Sequence, residues 1–191
     1  MRLPEELQPY HDPLEAVQNL ISRFNDQGVV IGGIAASVLG RARFTVDIDA
    51  MFLLSTRDIP RFLEEAKQEG IEPRIENAAE FAKQKRVLLL HHVATDTEID
   101  ISLGILPFEQ ETIERSNVHD FDDTLSVRLP TPEDLIIMKA IPRRPQDLED
   151  IRTLVAKYPD LDRARIEKWV RDFAGTMETP EMWDDIKQIL K

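Results

Sequence analysis

The sequence predicts an α/β (α+β) fold: a mixed sheet flanked by helices, followed by an all-helical C-terminal region. Three observations predict it. Short apolar runs bounded by glycine or turn residues alternate with helical periodicity as far as residue 130. Two extended runs sit either side of the turn Ala94-Thr95-Asp96-Thr97, which is a hairpin signal. From Thr131 onward the apolar spacing is helical throughout. The boundary near 130 divides the chain into a core, 1–130, and a helical region, 131–191, expected to pack on that core and complete its site.

Taken in order, Leu14, Val17, Leu20, Ile21 and Phe24 recur at helical spacing over Pro13 to Asp26, with Gly28 as the stop. Val29-Val30-Ile31 is a short buried strand, broken by Gly32-Gly33, and Ile34 to Leu39 is a brief helix. Phe44 to Leu54 is a strand whose Phe44, Val46 and Ile48 suit a core face. Ser55 or Thr56 caps a helix from about Arg57 to Glu69, which Gly70 ends. A helix over Asn77 to Gln84 leads into the hairpin Arg86 to Val93 and Glu98 to Leu103. Glu109 to Asp123 holds six acidic residues against one Arg and is expected to be an exposed connector. Thr131-Pro132-Glu133-Asp134 is a capped start with proline at the first helical position. Helices are expected at 132–141, 145–157, 161–174 and 180–190.

Composition narrows the function classes. With 191 residues, one domain is the default, and 42% hydrophobic with 31% charged residues argues against disorder. Lys+Arg total 24 and Asp+Glu 36, a net charge of −12, which excludes a broadly basic nucleic-acid coat but leaves room for a local basic groove. The absence of cysteine excludes disulfides, Cys-ligated zinc and a Cys nucleophile. No signal core or apolar run long enough for a membrane span is visible, so a cytoplasmic protein with no membrane partner is expected.

The informative stretch runs from Gly32 to Asp49. Asp47 and Asp49 are two apart on a strand and project together, with Thr45 and Arg43 on the same side. Two adjacent carboxylates repel unless a cation lies between them, and oxygen ligands on a rigid strand suit Mg²⁺. Arg43 either contacts phosphate or neutralises Asp47. Gly32-Gly33, between a strand and a helix start, allows a ligand close to the backbone, and the helix N-terminus offers amides to phosphate. This phosphate cradle precedes the carboxylate pair by 13 residues. Asp100, on the second arm of the hairpin, supplies a third carboxylate. It would help hold the metal and take the proton from an acceptor hydroxyl. His91 and His92, being adjacent, face opposite ways and cannot both join one site. Trp169 and Trp183 are expected to be packing anchors.

Gly-Gly, 13 residues, Asp-Ile-Asp and a later strand Asp together resemble the DNA polymerase β-type nucleotidyltransferase superfamily. The run Leu129-Pro130-Thr131-Pro132-Glu133-Asp134-Leu135-Ile136-Ile137-Met138-Lys139, followed by Asp147-Leu148-Glu149-Asp150-Ile151, resembles the bacterial AbiEii-type nucleotidyltransferases, which include toxins of toxin–antitoxin pairs. The likeness spans about residues 29–155.

The resemblance implies a nucleotidyltransferase-like fold and an Mg²⁺-dependent transfer, with Mn²⁺ as an alternative, of a nucleoside monophosphate from an NTP to an acceptor hydroxyl. It implies that Asp47, Asp49 and Asp100 bind metal and catalyse. Gly32 and Gly33 would hold the triphosphate and Lys139 would reach it. Asp147 would lie near the nucleotide or orient a cation, and Arg144 matches an Arg-Pro pair of the family. The acceptor would be RNA or a tRNA end, a small hydroxyl compound or a protein, with an antitoxin as a partner; DNA is not expected. The alternative is a catalytically silent nucleotide-binding or interaction protein of the same fold. Pro142 and Arg143 depart from the pattern: a helical residue and a small residue, often Gly, are usual there. Gly33 stands where many members have Ser.

Overall fold

The computed structural model describes residues 2–121 and 125–191. Its main sheet has five strands in the order β1-β2-β5-β4-β3: β1 (Gly28–Val30), β2 (Asp47–Phe52), β3 (Ile71–Pro73), β4 (Val87–His92) and β5 (Thr97–Leu103). β2 and β5 run parallel and the other pairs antiparallel, so the sheet is mixed, as expected. A 3-10 turn, Glu5–Tyr10, leads into α1 (His11–Arg23), and α2 (Gly32–Leu39) follows β1. α3 (Ile59–Gln68) and α4 (Ala78–Lys85) fill the crossover from β2 to the β4–β5 hairpin.

Alternation along β2 divides the sheet into two faces. Ile48, Ala50 and Phe52 point into the main core with Leu14, Val17, Leu20 and Ile21 of α1 and Phe62 of α3. Phe24, Phe52 and Phe62 stack there, with ring centroids 5.0–6.4 Å apart. Asp47, Asp49 and Met51 alternate onto the opposite face. Met51 joins Val29 and Ile113 in a smaller apolar cluster, against which Ile31 and Met138 pack.

Three expectations need correction. The first helix ends at Arg23, ahead of Gly28, because Asn25 and Asp26 take the left-handed conformation (φ 56° and 58°). The strand expected from Phe44 begins only at Asp47, and Phe44 and Val46 are 76% and 84% exposed rather than core. The ladder explains this: Asp47 pairs with Glu98, beside the Thr97 end of β5, so earlier residues find almost no partner strand. The acidic stretch is not a bare connector. It forms α5 (Pro107–Arg115) and β6 (Asn117–Phe121), which pairs antiparallel with β7 (Leu125–Leu129). Phe108, Ile113 and Phe121 are buried, so the acidic residues ride on an amphipathic segment. Asp122 and Asp123 lie outside the described residues.

The C-terminal region is helical, as its periodicity predicts: α6 (Pro132–Ala140), α7 (Pro145–Lys157), α8 (Arg163–Thr176) and α9 (Glu181–Ile189). Thr131 caps α6, its hydroxyl accepting from the Asp134 amide at 3.2 Å. Arg143, between α6 and α7, has φ 48°, a left-handed position that glycine takes without strain.

Candidate active site

β2 and β5 place the carboxylates. Asp49 sits opposite Asp100 in the parallel ladder, and Asp47 opposite Glu98, so the pairs share the face away from the main core. The glycine turn closes over them. Gly32 has φ +63°, and a Cβ there would lie 1.9 Å from the Asp49 Oδ2. Only glycine meets both demands. A Cβ on Gly33 would lie 2.3 Å from the Thr45 hydroxyl. That hydroxyl in turn donates to the Asp47 Oδ1 at 3.3 Å.

The carboxylates repel one another. Burial pushes Asp49 up to about 6, Asp47 and Asp100 push the same way, and Lys139 and Arg144 oppose them. Asp100 is also raised, by burial first, while Arg74 pulls it back down. Arg74 donates one terminal nitrogen to Asp100 and the other to Glu98. A set of hard oxygen donors whose charges are incompletely neutralised fits a divalent cation. Among the described residues, the three-ligand group tightest in space lies elsewhere. His11, Asp12 and Glu15, on the partly exposed first turn of α1, bring their atoms within 4.8 Å of one another. The three strand carboxylates do not converge that far: Asp100 is engaged by Arg74.

Cations enter from the helical region. Lys139, 6% exposed at the end of α6, donates to the Asp150 Oδ2 at 2.8 Å and the Asp147 Oδ1 at 3.4 Å. Arg43 grips Asp150 with two nitrogens, at 3.0 and 3.1 Å. Its guanidinium therefore neutralises Asp150 rather than Asp47. Arg144 donates its Nε and its backbone amide to the Asp147 Oδ2, at 2.8 and 3.1 Å, which also caps α7. Burial alone would raise Asp147 and Asp150. The bonds from Arg144 and Lys139, and from Arg43 and Lys139, outweigh it and hold both carboxyls below the usual range.

All nine sequence-predicted site residues line one cavity of about 430 Å³: Gly32, Gly33, Arg43, Asp47, Asp49, Asp100, Lys139, Arg144 and Asp147. Thr45, Val46 and Gln146 line it too. Sequence reasoning gave no role to Asp150, although its position one helical turn after Asp147 puts both on one face of α7. Arg74 carries no such signal, because only the sheet brings it to Asp100.

A family model described as "Nucleotidyltransferase of unknown function", DUF6036, matches residues 12–178. The solution structure of the antibiotic-resistance factor ANT(2'')-Ia is 14% identical and superposes with a TM-score of 0.56, covering 88% of this chain and 95% of that one. The crystal structure of an antigenic nucleotidyltransferase-like protein from Paracoccidioides brasiliensis is 15% identical, with a TM-score of 0.51, covering 97% of this chain and 94% of that one. At such identities the likeness concerns the fold. No curated protein matches the sequence.

Proposed function

Because the chain belongs to the DUF6036 family of nucleotidyltransferases, we propose that it moves a nucleoside monophosphate from an NTP to an acceptor hydroxyl at the Asp47–Asp49–Asp100 site, with Mg²⁺ or Mn²⁺. One observation carries the site assignment: Asp49 and Asp100 are direct neighbours across parallel strands, with the Gly32 turn pressed against Asp49.

Asp47, Asp49 and Asp100 would hold the metal, which when bound supplies positive charge to the triphosphate and the reacting oxygens. The Gly32-Gly33 turn and the α2 N-terminus offer backbone amides to phosphate. Lys139 supplies a point charge and Arg144, largely exposed, a fork that can turn from Asp147 to phosphate. Asp100 accepts the proton of the attacking hydroxyl. The helical region, 131–191, completes the nucleotide site by bringing Lys139, Arg144 and Asp147 to the core. The chemistry is positioning and electrostatics, as in phosphoryl transfer generally.

The AbiEii-type resemblance supports a toxin held by an antitoxin in the cytoplasm, with an RNA or tRNA end among the acceptor classes. A second reading, nucleotide binding without turnover, draws on Arg74, whose guanidinium occupies Asp100 and Glu98. Label transfer separates the two. The protein is incubated with α-labelled nucleoside triphosphates, Mg²⁺ and cell extract beside Asp49→Asn, and the products are digested with ribonuclease or protease. Transfer that disappears with Asp49→Asn supports the enzyme. Nucleotide binding without transfer supports the silent protein.

A further inference from the structure

Beside the carboxylate cavity lies a second one of about 220 Å³, whose lining includes Ile31, Met51, Ser102, Met138, Ile141 and Phe173. Register fixes its place. Met51 and Ser102 are partners in the parallel ladder, two residues beyond the Asp49–Asp100 pair. Residues two apart share a face, so Met51 and Ser102 continue the face that carries the carboxylates, about 7 Å further along the strands. α6 walls both spaces, with Met138 in the second and Lys139 in the first.

The two spaces differ in chemistry. Gly33, Thr45, Arg43 and Arg144 all border the carboxylate cavity, so departing pyrophosphate is best held there. A hydroxyl attacking in line must approach the phosphorus from the side opposite the leaving group. Gly33 packs against Thr45, ahead of the Asp47 end of β2, so along β2 and β5 the opposite side is that of Ser102. The second cavity is lined by no Lys, Arg or His among the described residues. Its one carboxylate, Glu109, is committed to the amides of Ile105 and Leu106, both at 2.7 Å. An RNA end bound through phosphate neutralisation finds no counter-charge there. The space is below the ~300–1,000 Å³ of drug-sized sites, which suits one ring or a short chain.

We propose that this cavity is the acceptor subsite, and that it takes the apolar, ring-sized body of a small hydroxyl compound whose oxygen points past Ser102 toward Asp100. The proposal rests on the nucleotidyl-transfer reading. In the step, the acceptor oxygen forms a bond to the α-phosphorus and the bond from that phosphorus to the β-phosphate's bridging oxygen breaks. Pyrophosphate leaves with the bonding pair, and the hydroxyl proton passes to the Asp100 carboxylate.

The test begins with binding. 2-Phenylethanol is the probe, followed by saturation-transfer NMR on the full chain, on Ser102→Phe, which fills the cavity, and on Leu106→Glu, which charges its exposed rim. Melting curves establish that each variant is folded. The proposal expects Ser102→Phe to weaken the probe by roughly tenfold or more and Leu106→Glu by roughly fivefold. An equimolar mixture of the four α,β-methylene nucleoside triphosphates with Mg²⁺ should not displace it. Displacement would make the cavity a nucleobase pocket and overturn the proposal, as would no binding to the native chain or equal binding to folded variants. Labelled triphosphates then give the second readout: Ser102→Phe should lower kcat/KM for the alcohol while the KM for nucleotide stays within about twofold. Transfer to RNA that Ser102→Phe leaves unchanged would also overturn it. Probe binding as expected, with no label moved to any acceptor, would instead sink the nucleotidyl-transfer reading and the acceptor role with it.

Discussion

Arg43 and Asp150 stand 107 positions apart and meet through two hydrogen bonds, at 3.0 and 3.1 Å. The pair ties the segment leading into β2 to α7, and Asp150 passes the tie on to buried Lys139. Asp150→Ala would leave Lys139 with only the longer contact to Asp147 and Arg43 with no carboxylate. Breaking a buried pair from one side costs about 3 kcal/mol or more. Urea unfolding should show that loss, and Asp150→Asn, which keeps the shape and accepts a hydrogen bond, should lose less.

Gly32→Ala should cost transfer far more than stability, which melting curves beside the transfer assay check. The new Cβ clashes with the Asp49 carboxylate in a left-handed backbone position. We expect a drop of about 10²-fold or more in transfer, because one displaced group in a preorganised electrostatic site costs that much. Gly175→Ala is the control, since nothing lies within 4 Å of a Cβ there. It should leave transfer unchanged.

Without metal, stability should depend on pH through Asp49, whose carboxyl is pushed up to about 6 by burial and by its carboxylate neighbours. A folded-state value above the unfolded one means that folding favours the protonated acid. That contribution is fully present below the unfolded carboxylate range and is lost as pH rises through about 6. In EDTA, the native chain should lose stability relative to Asp49→Asn across this interval, by on the order of 3 kcal/mol. Mg²⁺ should restore it at neutral pH in the native chain and not in Asp49→Asn. Paired urea titrations across pH, with and without Mg²⁺, check both signs.

Arg143 holds a left-handed φ of 48° and reaches Glu181 and Asp185 of α9 at 3.6 and 3.0 Å. Arg143→Ala loses the ion pairs and keeps the backbone strain. Arg143→Gly loses the same pairs but relieves the strain, so it should be the more stable of the two by about 1 kcal/mol. Thermal melts of the two variants give the ordering.

Most of the candidate site's geometry was legible because its residues sit on short periodic elements. The i, i+2 spacing of Asp47 and Asp49 places two carboxylates on one strand face, and the glycine pair marks the turn that meets them. Helix periodicity likewise located α7 at its observed bounds. Less legible was whatever depends on pairing between distant segments. Phe44 and Val46 alternate like core residues, yet they precede the first rung of the ladder. β6 hides in a stretch whose acidic residues outweigh its sparse apolar ones, and its pairing with β7, Phe121 opposite Leu125, is what joins it to a sheet. Arg74 reaches Asp100 because β3 pairs with β4 and β4 with β5, a relation that no local pattern encodes.

The parallel pairing of β2 with β5 also bears on how the molecule comes into being. The whole chain from α3 through β4 lies between Asp49 and Asp100, so their meeting closes a long loop. Closing a long loop before its contacts can repay the lost entropy slows folding. Refolding should therefore be limited by this one docking event, with the hairpin β4–β5 forming earlier because its turn is local. Lys139 and Asp147 come from later still in the chain, so a growing polypeptide carries Asp47, Asp49 and Asp100 long before the cavity they line is closed.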